Sequence, residues 1–421
     1  MQINRSAVRR RALVSAKAWV SNLLIGTLTM SRLAVGADIH AVTPPDVVVA
    51  GPYSPGLMAN GFFYVSGQGP AASEGKIPAG FDAQMLQTLK NVKNVLAAGG
   101  LTMQHVVYAH VYLKDMANYE AMNRLWKEAF PTMPPARAVL GINKLPGDGL
   151  VEITAVAFEN LSRRSVVTVP GYPESPVSPA VIAGEKVYLS GFLGVDAMGK
   201  VPTNPKAEVE AAFDQMKKTL TAADLDFKHV AFVNPYQTEK VAGVMNEIYA
   251  SHFEFGKTPA RATINVSSLP LGANIEFTGV AVRDLSKRRA VRPKNMPPSP
   301  TASPCVWADD TFYCSAKSAF IPGPVRGIFA QTVEEQVRMT MRNLLDGLEE
   351  AGLTFSNVVA TNVYLDDMED FPRMNRIYAQ YFKGVLPTRT TVAQVAPLPN
   401  RGPTKNDIYP TLEQVSLIAV R

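Results

Sequence analysis

The chain has little of what metal or thiol chemistry requires. Its 421 residues include two cysteines, Cys305 and Cys314, and five scattered histidines. No spacing among them matches a metal-ligand set, so no metal site is expected. Long apolar runs are also scarce. Lys17, Asn22 and Arg32 interrupt the one strongly apolar stretch near the start, and nothing later approaches the roughly 18 uninterrupted apolar residues of a membrane span. No stable span is expected in the mature chain. An excess of basic charge is missing too, once its position is considered. Of the formal net charge of +6, all is supplied by Arg5, Arg9, Arg10, Arg11, Lys17 and Arg32, which precede Asp38 with no acid among them. The rest is neutral and lacks the basic surface that nucleic-acid binding normally needs, so no nucleic-acid partner is expected.

Residues 1–37 read as an export signal. Arg9-Arg10-Arg11 precedes an apolar stretch through Trp19, Leu23, Leu24, Ile25 and Leu28, and Ala34-Val35-Gly36-Ala37 has the small residues of a cleavage site. The arginine pair leans towards the twin-arginine route, which carries folded cargo. The expected location is periplasmic or secreted; an uncleaved anchor or a disordered basic leader are the alternatives.

What the chain does have is repetition. Pro135-Ala136-Arg137, Pro259-Ala260-Arg261 and Pro387-Thr388-Arg389 stand 124 and 128 residues apart. Met122-Asn123, Met245-Asn246 and Met374-Asn375 recur with them, as do Tyr64-Val65-Ser66-Gly67, Tyr188-Leu189-Ser190-Gly191 and Tyr313-Cys314-Ser315-Ala316. Unrelated landmarks at a shared spacing mean three copies of one domain-sized unit, placed at 38–160, 161–285 and 286–421.

Within each copy, two-residue turns at Asn60-Gly61, Gly184-Glu185 and Asp309-Asp310 predict hairpins. Cys305 and Cys314 then face each other, either as a disulfide or as two buried thiols. Apolar residues at helical spacing predict helices over 82–98, 207–223 and 332–351. A strand follows, broken in the second copy at Asn234-Pro235, then a second helix and two last strands. His105 and His229, just before that strand in two copies, read as structural. Stretches near 161–170 and 286–304 read as linkers. The class is α+β, and three sheets must bury their uncovered faces against one another around a pseudo-threefold axis.

On these motifs each copy resembles the Rid family of reactive-intermediate (imine/enamine) deaminases, also called YjgF-like. The first copy matches best, through Gly51-Pro52-Tyr53-Ser54-Pro55-Gly56, Val65-Ser66-Gly67-Gln68, Val111-Tyr112-Leu113-Lys114-Asp115, Pro135-Ala136-Arg137 and Val151-Glu152-Ile153. The resemblance implies three tandem chorismate-mutase-like domains forming an intramolecular pseudo-trimer, with sites at the seams. It implies a 2-iminobutanoate/2-iminopropanoate deaminase-like hydrolase that uses no metal or bound cofactor and takes a small carboxylated substrate.

Carried over by position, the motif arginine binds the substrate carboxylate and a glutamate near the last strand positions water. The implied catalytic set is Glu152, Arg137, Tyr53 and Glu276. The implied substrate-binding set is Arg261, Arg389, Ser66, Asn123 and Ser190. Val177 and Ala302 stand where the second and third copies should have the tyrosine, Gln414 stands at the third glutamate position, and Phe192 and Lys317 replace Gln68. A bidentate arginine suits a planar carboxylate, and an electrophilic imine carbon needs only oriented water and modest base assistance. The same residues also fit a non-catalytic small-carboxylate binding protein. The alternative is that the arginines tie the threefold core together, with Glu152 and Glu276 as their structural partners. A family-linked ribonuclease reading is disfavoured by the neutral body.

Overall fold

The computed structural model describes residues 38–421 except 46, 73, 173–174, 295, 397–399 and 405. The export signal expected at 1–37 lies outside the described residues. In the first copy β1 (Ile39–Val42), β2 (Gly56–Ala59) and β3 (Phe62–Gln68) lead into α1 (Phe81–Ala98). Then follow β4 (Val106–Leu113), α2 (Tyr119–Ala129), β5 (Ala136–Gly141) and β6 (Val151–Phe158). The sheet order is β1-β2-β3-β6-β4-β5. Its neighbours are antiparallel except β4 and β5, which the intervening α2 allows to run parallel.

The second copy repeats this as β7 (Arg164–Val167), β8 (Ala180–Ala183), β9 (Lys186–Leu193), α3 (Pro205–Ala222), β10 (Val230–Gln237) and α4 (Glu239–His252). It ends in β11 (Ala260–Arg261), β12 (Ile264–Asn265) and β13 (Ile275–Val282). The third has β14 (Arg288–Val291), β15 (Cys305–Ala308), β16 (Thr311–Lys317), α5 (Val333–Glu350) and β17 (Val358–Leu365). After these come α6 (Phe371–Tyr378), β18 (Thr388–Ala393) and β19 (Glu413–Val420).

Strand alternation divides each sheet's burial between two cores. Phe63 and Val65 of β3 pack with Met85, Val92 and Leu96 of α1. Phe62 and Tyr64, pointing the other way, join Tyr188 and Phe232 of the second domain and Tyr313 of the third in one core shared by all three. A second shared core gathers Tyr112, Tyr236 and Tyr364, again one from each domain. Three sheets thus bury their open faces on one another, as the composition of those faces requires.

The cross-domain contacts are also polar. The hydroxyls of Tyr108 (2.8 Å) and Tyr236 (2.6 Å) meet Nε2 of His110, whose equivalents by register are Asn234 and Asn362. Lys186 of the second domain donates to Asp310 of the third at 2.7 Å, with its ammonium 4.2 Å from the centre of the Phe62 ring of the first.

Two expectations need correction. The stretches read as linkers contain β7 and β14, short edge strands whose basic residues hid their period. Arg164 donates to the Val106 and Met133 carbonyls of the first domain, and Arg288 to those of Val230 and Lys257 of the second. The second expectation, a strand break at Asn234-Pro235, also fails. β10 runs through both residues, and Pro235 pairs with Phe277 of β13. What breaks is the parallel partner. Proline has no N–H to give that side, so the strand equivalent to β5 splits into β11 and β12, and the Asn234 side-chain amide donates to Ala262 O at 3.2 Å instead.

Cys305 and Cys314 are directly opposed in β15 and β16 and form a disulfide. His105 and His229 each accept at Nδ1 from the backbone of the residue three before, capping a turn of 3-10 helix as structural residues.

Candidate active sites at the seams

The three Pro-x-Arg motifs all lie where one domain meets the next. At each seam a backbone amide donates to the motif proline's carbonyl: Ser54 N to Pro387 O, Ser178 N to Pro135 O and Ser303 N to Pro259 O. A serine hydroxyl then fixes the arginine's backbone. Ser66 Oγ accepts from Arg389 N at 2.8 Å, Ser190 Oγ from Arg137 N at 2.9 Å and Ser315 Oγ from Arg261 N at 2.8 Å. The same hydroxyls donate to the carbonyls of Ser54, Ser178 and Ser303. Ser66 and Ser190 therefore reach any ligand only through the arginine they set in place.

The seams bring together residues that one copy alone does not. Arg137 and Asn123 face the second domain, where they meet Glu276, Ser190 and Tyr172. Glu152, Ser66 and Tyr53 face the third domain and meet Arg389. Arg137 and Glu152, adjacent steps in the single-copy motif, thus face different seams.

At the first of these seams Arg137 is buried and lies 4.8 Å from the centre of the Trp126 ring. It donates from Nη2 to Asn123 Oδ1 at 2.6 Å and from Nη1 to Met122 Sδ at 3.3 Å. The Met-Asn pair on the second helix aims the guanidinium in the first two copies, with Asn246 holding Arg261 in the same way; in the third, Asn375 Oδ1 has no partner among the described residues. Burial lowers the arginine's pKa to about 10, partly offset by Tyr119, Glu276 and Tyr172. It remains charged at neutral pH. At the seam between the third and first domains, Arg389 lies among the rings of Tyr53 (5.1 Å), Tyr378 (5.1 Å) and Phe371 (5.4 Å).

Both partner glutamates are buried, and burial raises each to about 8 against the pull of its arginine. Each is accommodated by a glycine. A Cβ on Gly67 would collide with the Glu152 carboxylate, and one on Gly191 with that of Glu276. Several groups lack a hydrogen-bond partner among the described residues: Arg137 Nε, Arg389 Nη1 and Glu276 Oε2. A buried guanidinium N–H and a buried carboxyl oxygen left unpaired at one seam, Arg137 Nε and Glu276 Oε2, are the arrangement expected of a site awaiting a polar ligand.

The third seam departs from this pattern. Arg261 is held by Asn246 Oδ1 at 2.8 Å beside Tyr249, but among the described residues no carboxylate acts on it. Ala316 stands where the other copies have glycine. Gln414 turns to Gln394, with its Nε2 donating to Oε1 at 3.0 Å. The adjacent Glu413 lies one residue off, so strand alternation sends it to the opposite face, where Thr340 Oγ1 donates to it.

Tyr172 is the site residue that position-by-position transfer missed. Val177 occupies the tyrosine's place in the alignment. Yet Tyr172, five residues earlier, stands with Arg137 and Glu276 as Tyr53 stands with Arg389 and Glu152. A usable signal was present: Gly171-Tyr172-Pro173 mirrors Gly51-Pro52-Tyr53 ahead of the shared Ser-Pro.

Comparison with known proteins agrees with this architecture. The family model described as "Endoribonuclease L-PSP" matches residues 44–159, 170–283 and 297–403. A RutC family protein of Aquifex aeolicus is 36% identical over 120 residues, covering 28% of this chain and 96% of the relative. Protein MMF1, mitochondrial, of Saccharomyces cerevisiae is 33% identical over 126 residues, 29% of this chain and 87% of the relative. Among solved structures, yeast Mmf1 is 32% identical, covers 29% of this chain and 99% of its own, and gives a TM-score of 0.28. E. coli TdcF with bound serine is 28% identical, with coverage of 29% and 99% and the same TM-score of 0.28. With its domain matched three times over most of its length, the chain belongs to the endoribonuclease L-PSP family, that of the Rid and RutC (YjgF-like) proteins.

Proposed function

We propose that the protein is a hydrolytic deaminase of small carboxylate-bearing imines or enamines, acting at two of its three seams. The observation that carries this reading is the twofold recurrence of one set: a buried guanidinium, a buried carboxyl raised to about 8 and a tyrosine, assembled from neighbouring domains.

Arg137 or Arg389 would hold the substrate carboxylate and leave the C=N carbon facing the glutamate. Glu276 or Glu152, ionised, takes a proton from water as the C–O bond forms, and the C=N electron pair of the iminium moves onto nitrogen. The resulting carbinolamine nitrogen then receives that proton back from the glutamic acid. The C–N bond breaks, and the hydroxyl proton leaves with the nitrogen. One iminium and one water thus become a ketone and an ammonium ion. A carboxyl with its pKa near the working pH suits both transfers. Ser66, Ser190 and Asn123 act as positioning residues for the arginines, while Arg261 serves a seam without a base.

A body with as many acidic as basic residues outside its first 37 favours this reading over nucleic-acid cleavage. The Cys305–Cys314 disulfide supports residence in an oxidising compartment, consistent with export by the leader. An exported enzyme would meet stable enamine-like or ring-derived acids rather than short-lived cytosolic imines.

The test is ammonia release from imino acids generated in situ by an amino-acid oxidase, comparing the wild type with Glu152→Gln/Glu276→Gln. Acceleration by the wild type, lost in the double variant, is the expected result. No acceleration with any imino acid would overturn the reading.

A further inference from the structure

The seam between the second and third domains has Gln414 at the glutamate position and Lys317 where the first copy has Gln68. A space of about 270 Å³ opens there, lined by Arg261, Lys317, Thr263, Ser299, Ala316 and Gln414 among others. At the liquid share of about 30 Å³ per water, that is room for a small organic acid.

Its two cations have no counter-charge within the cavity lining. Among the described residues no carboxylate acts on Arg261. Lys317 is drawn by Asp346, which is already paired with Arg342 at 2.9 Å. Burial pushes both cations towards their neutral forms, a strain that a bound anion would relieve. Thr263 Oγ1, also in the lining, is buried and lacks a partner among the described residues.

We infer that this seam is a binding site for a small dicarboxylate, held between Arg261 and Lys317 and not hydrolysed. A dicarboxylate can pair with both lining cations, whereas a monocarboxylate leaves one of them unpaired. Ala316 and Gln414 keep a base out of the pocket, so the ligand is retained intact. The inference does not depend on turnover at the other two seams.

Calorimetric titration tests it, using succinate, butyrate and inorganic phosphate against the whole protein, wild type and Lys317→Gln. Calorimetry reads binding without turnover, so its outcome is independent of the ammonia assay. Succinate is expected to occupy one site at least tenfold more tightly than butyrate does, and Lys317→Gln to weaken it at least tenfold. The Gln copies residue 68 of the first domain. Should that variant not fold, Ala316→Val, which fills the cavity from another position, is expected to give the same loss. Equal affinity for succinate and butyrate, or succinate binding unchanged by either substitution, would overturn the inference. Phosphate binding more tightly than succinate would overturn the assignment to a dicarboxylate.

Discussion

At the scale of single residues, the two seams proposed to be active depend on a missing methyl group. Gly67 and Gly191 are required because a Cβ would occupy the space of the Glu152 and Glu276 carboxylates. Gly67→Ala should therefore silence the seam between the third and first domains, Gly191→Ala the seam between the first and second, and the pair together all ammonia release. Gln414→Glu alone should not supply a base at the third seam, because Ala316 fills the space the carboxyl would need. Retained activity in the double alanine variant would contradict the account. The same carboxyls set the pH dependence. Raised to about 8 by burial, they must lose a proton to act as bases, so kcat/KM should rise between pH 6 and 9. A flat profile over that range would remove them from the role. The glycine-to-alanine change was visible in sequence. Its meaning was not, because only the fold shows what lies against position 316.

At the scale of elements, hairpin turns, helix faces and the recurring arginine strand were legible because each follows a local period. The failures came where an element's role was set by its neighbours. β7 and β14 have too few residues, and too many basic ones, to show alternation, yet Arg164 and Arg288 tie them to the preceding domain. Pro235 reads locally as a break, but its missing N–H is absorbed by the partner strand. The disulfide supplies a further test. Gly347 lies within α5, and a Cβ there would lie 2.7 Å from Cys305 Sγ. Alanine normally favours a helix interior over glycine by about 1 kcal/mol. Gly347→Ala should nevertheless lower the Tm of the oxidised protein, and should raise it in a Cys305→Ala/Cys314→Ala background. The same sign in both backgrounds would show that the disulfide does not require the glycine.

For the whole molecule, three copies in one chain allow each seam its own chemistry. The Rid-like domain and its repeat were readable from sequence; the partnership of Arg137 with Glu276, and of Arg389 with Glu152, was not. Partner choice depends on how one sheet is rotated against the next, and no motif within a copy records that rotation.

Burial at the shared core and seams also couples stability to pH. His110, lowered to about 3 by burial, is protonated more readily when unfolded, so its contribution is complete above about pH 6.5 and is lost as pH falls. Glu152, Glu276 and Glu413, each raised to about 8, act in the opposite sense. Folded, they keep protons that the unfolded chain releases above about pH 4.5, so stability falls as pH rises towards 8. Between pH 6.5 and 8 only the glutamates act among these groups. The Tm should fall over that interval, and fall less in Glu152→Gln/Glu276→Gln. An equal fall in both proteins would contradict the assignment.

The pairing of residues across seams is tested most directly by double variants in the ammonia-release assay. Arg137→Met/Glu276→Gln alters one seam, so it should retain the activity of the other and lose no more than the worse of its two single variants. Arg137→Met/Glu152→Gln alters both seams proposed to be active and should abolish turnover, with each glutamate loss amounting to about 10²–10⁴-fold at its own seam. The opposite pattern, with Arg137→Met/Glu152→Gln no worse than either single variant and Arg137→Met/Glu276→Gln inactive, would place Arg137 and Glu152 in one site and contradict the seam architecture of the activity.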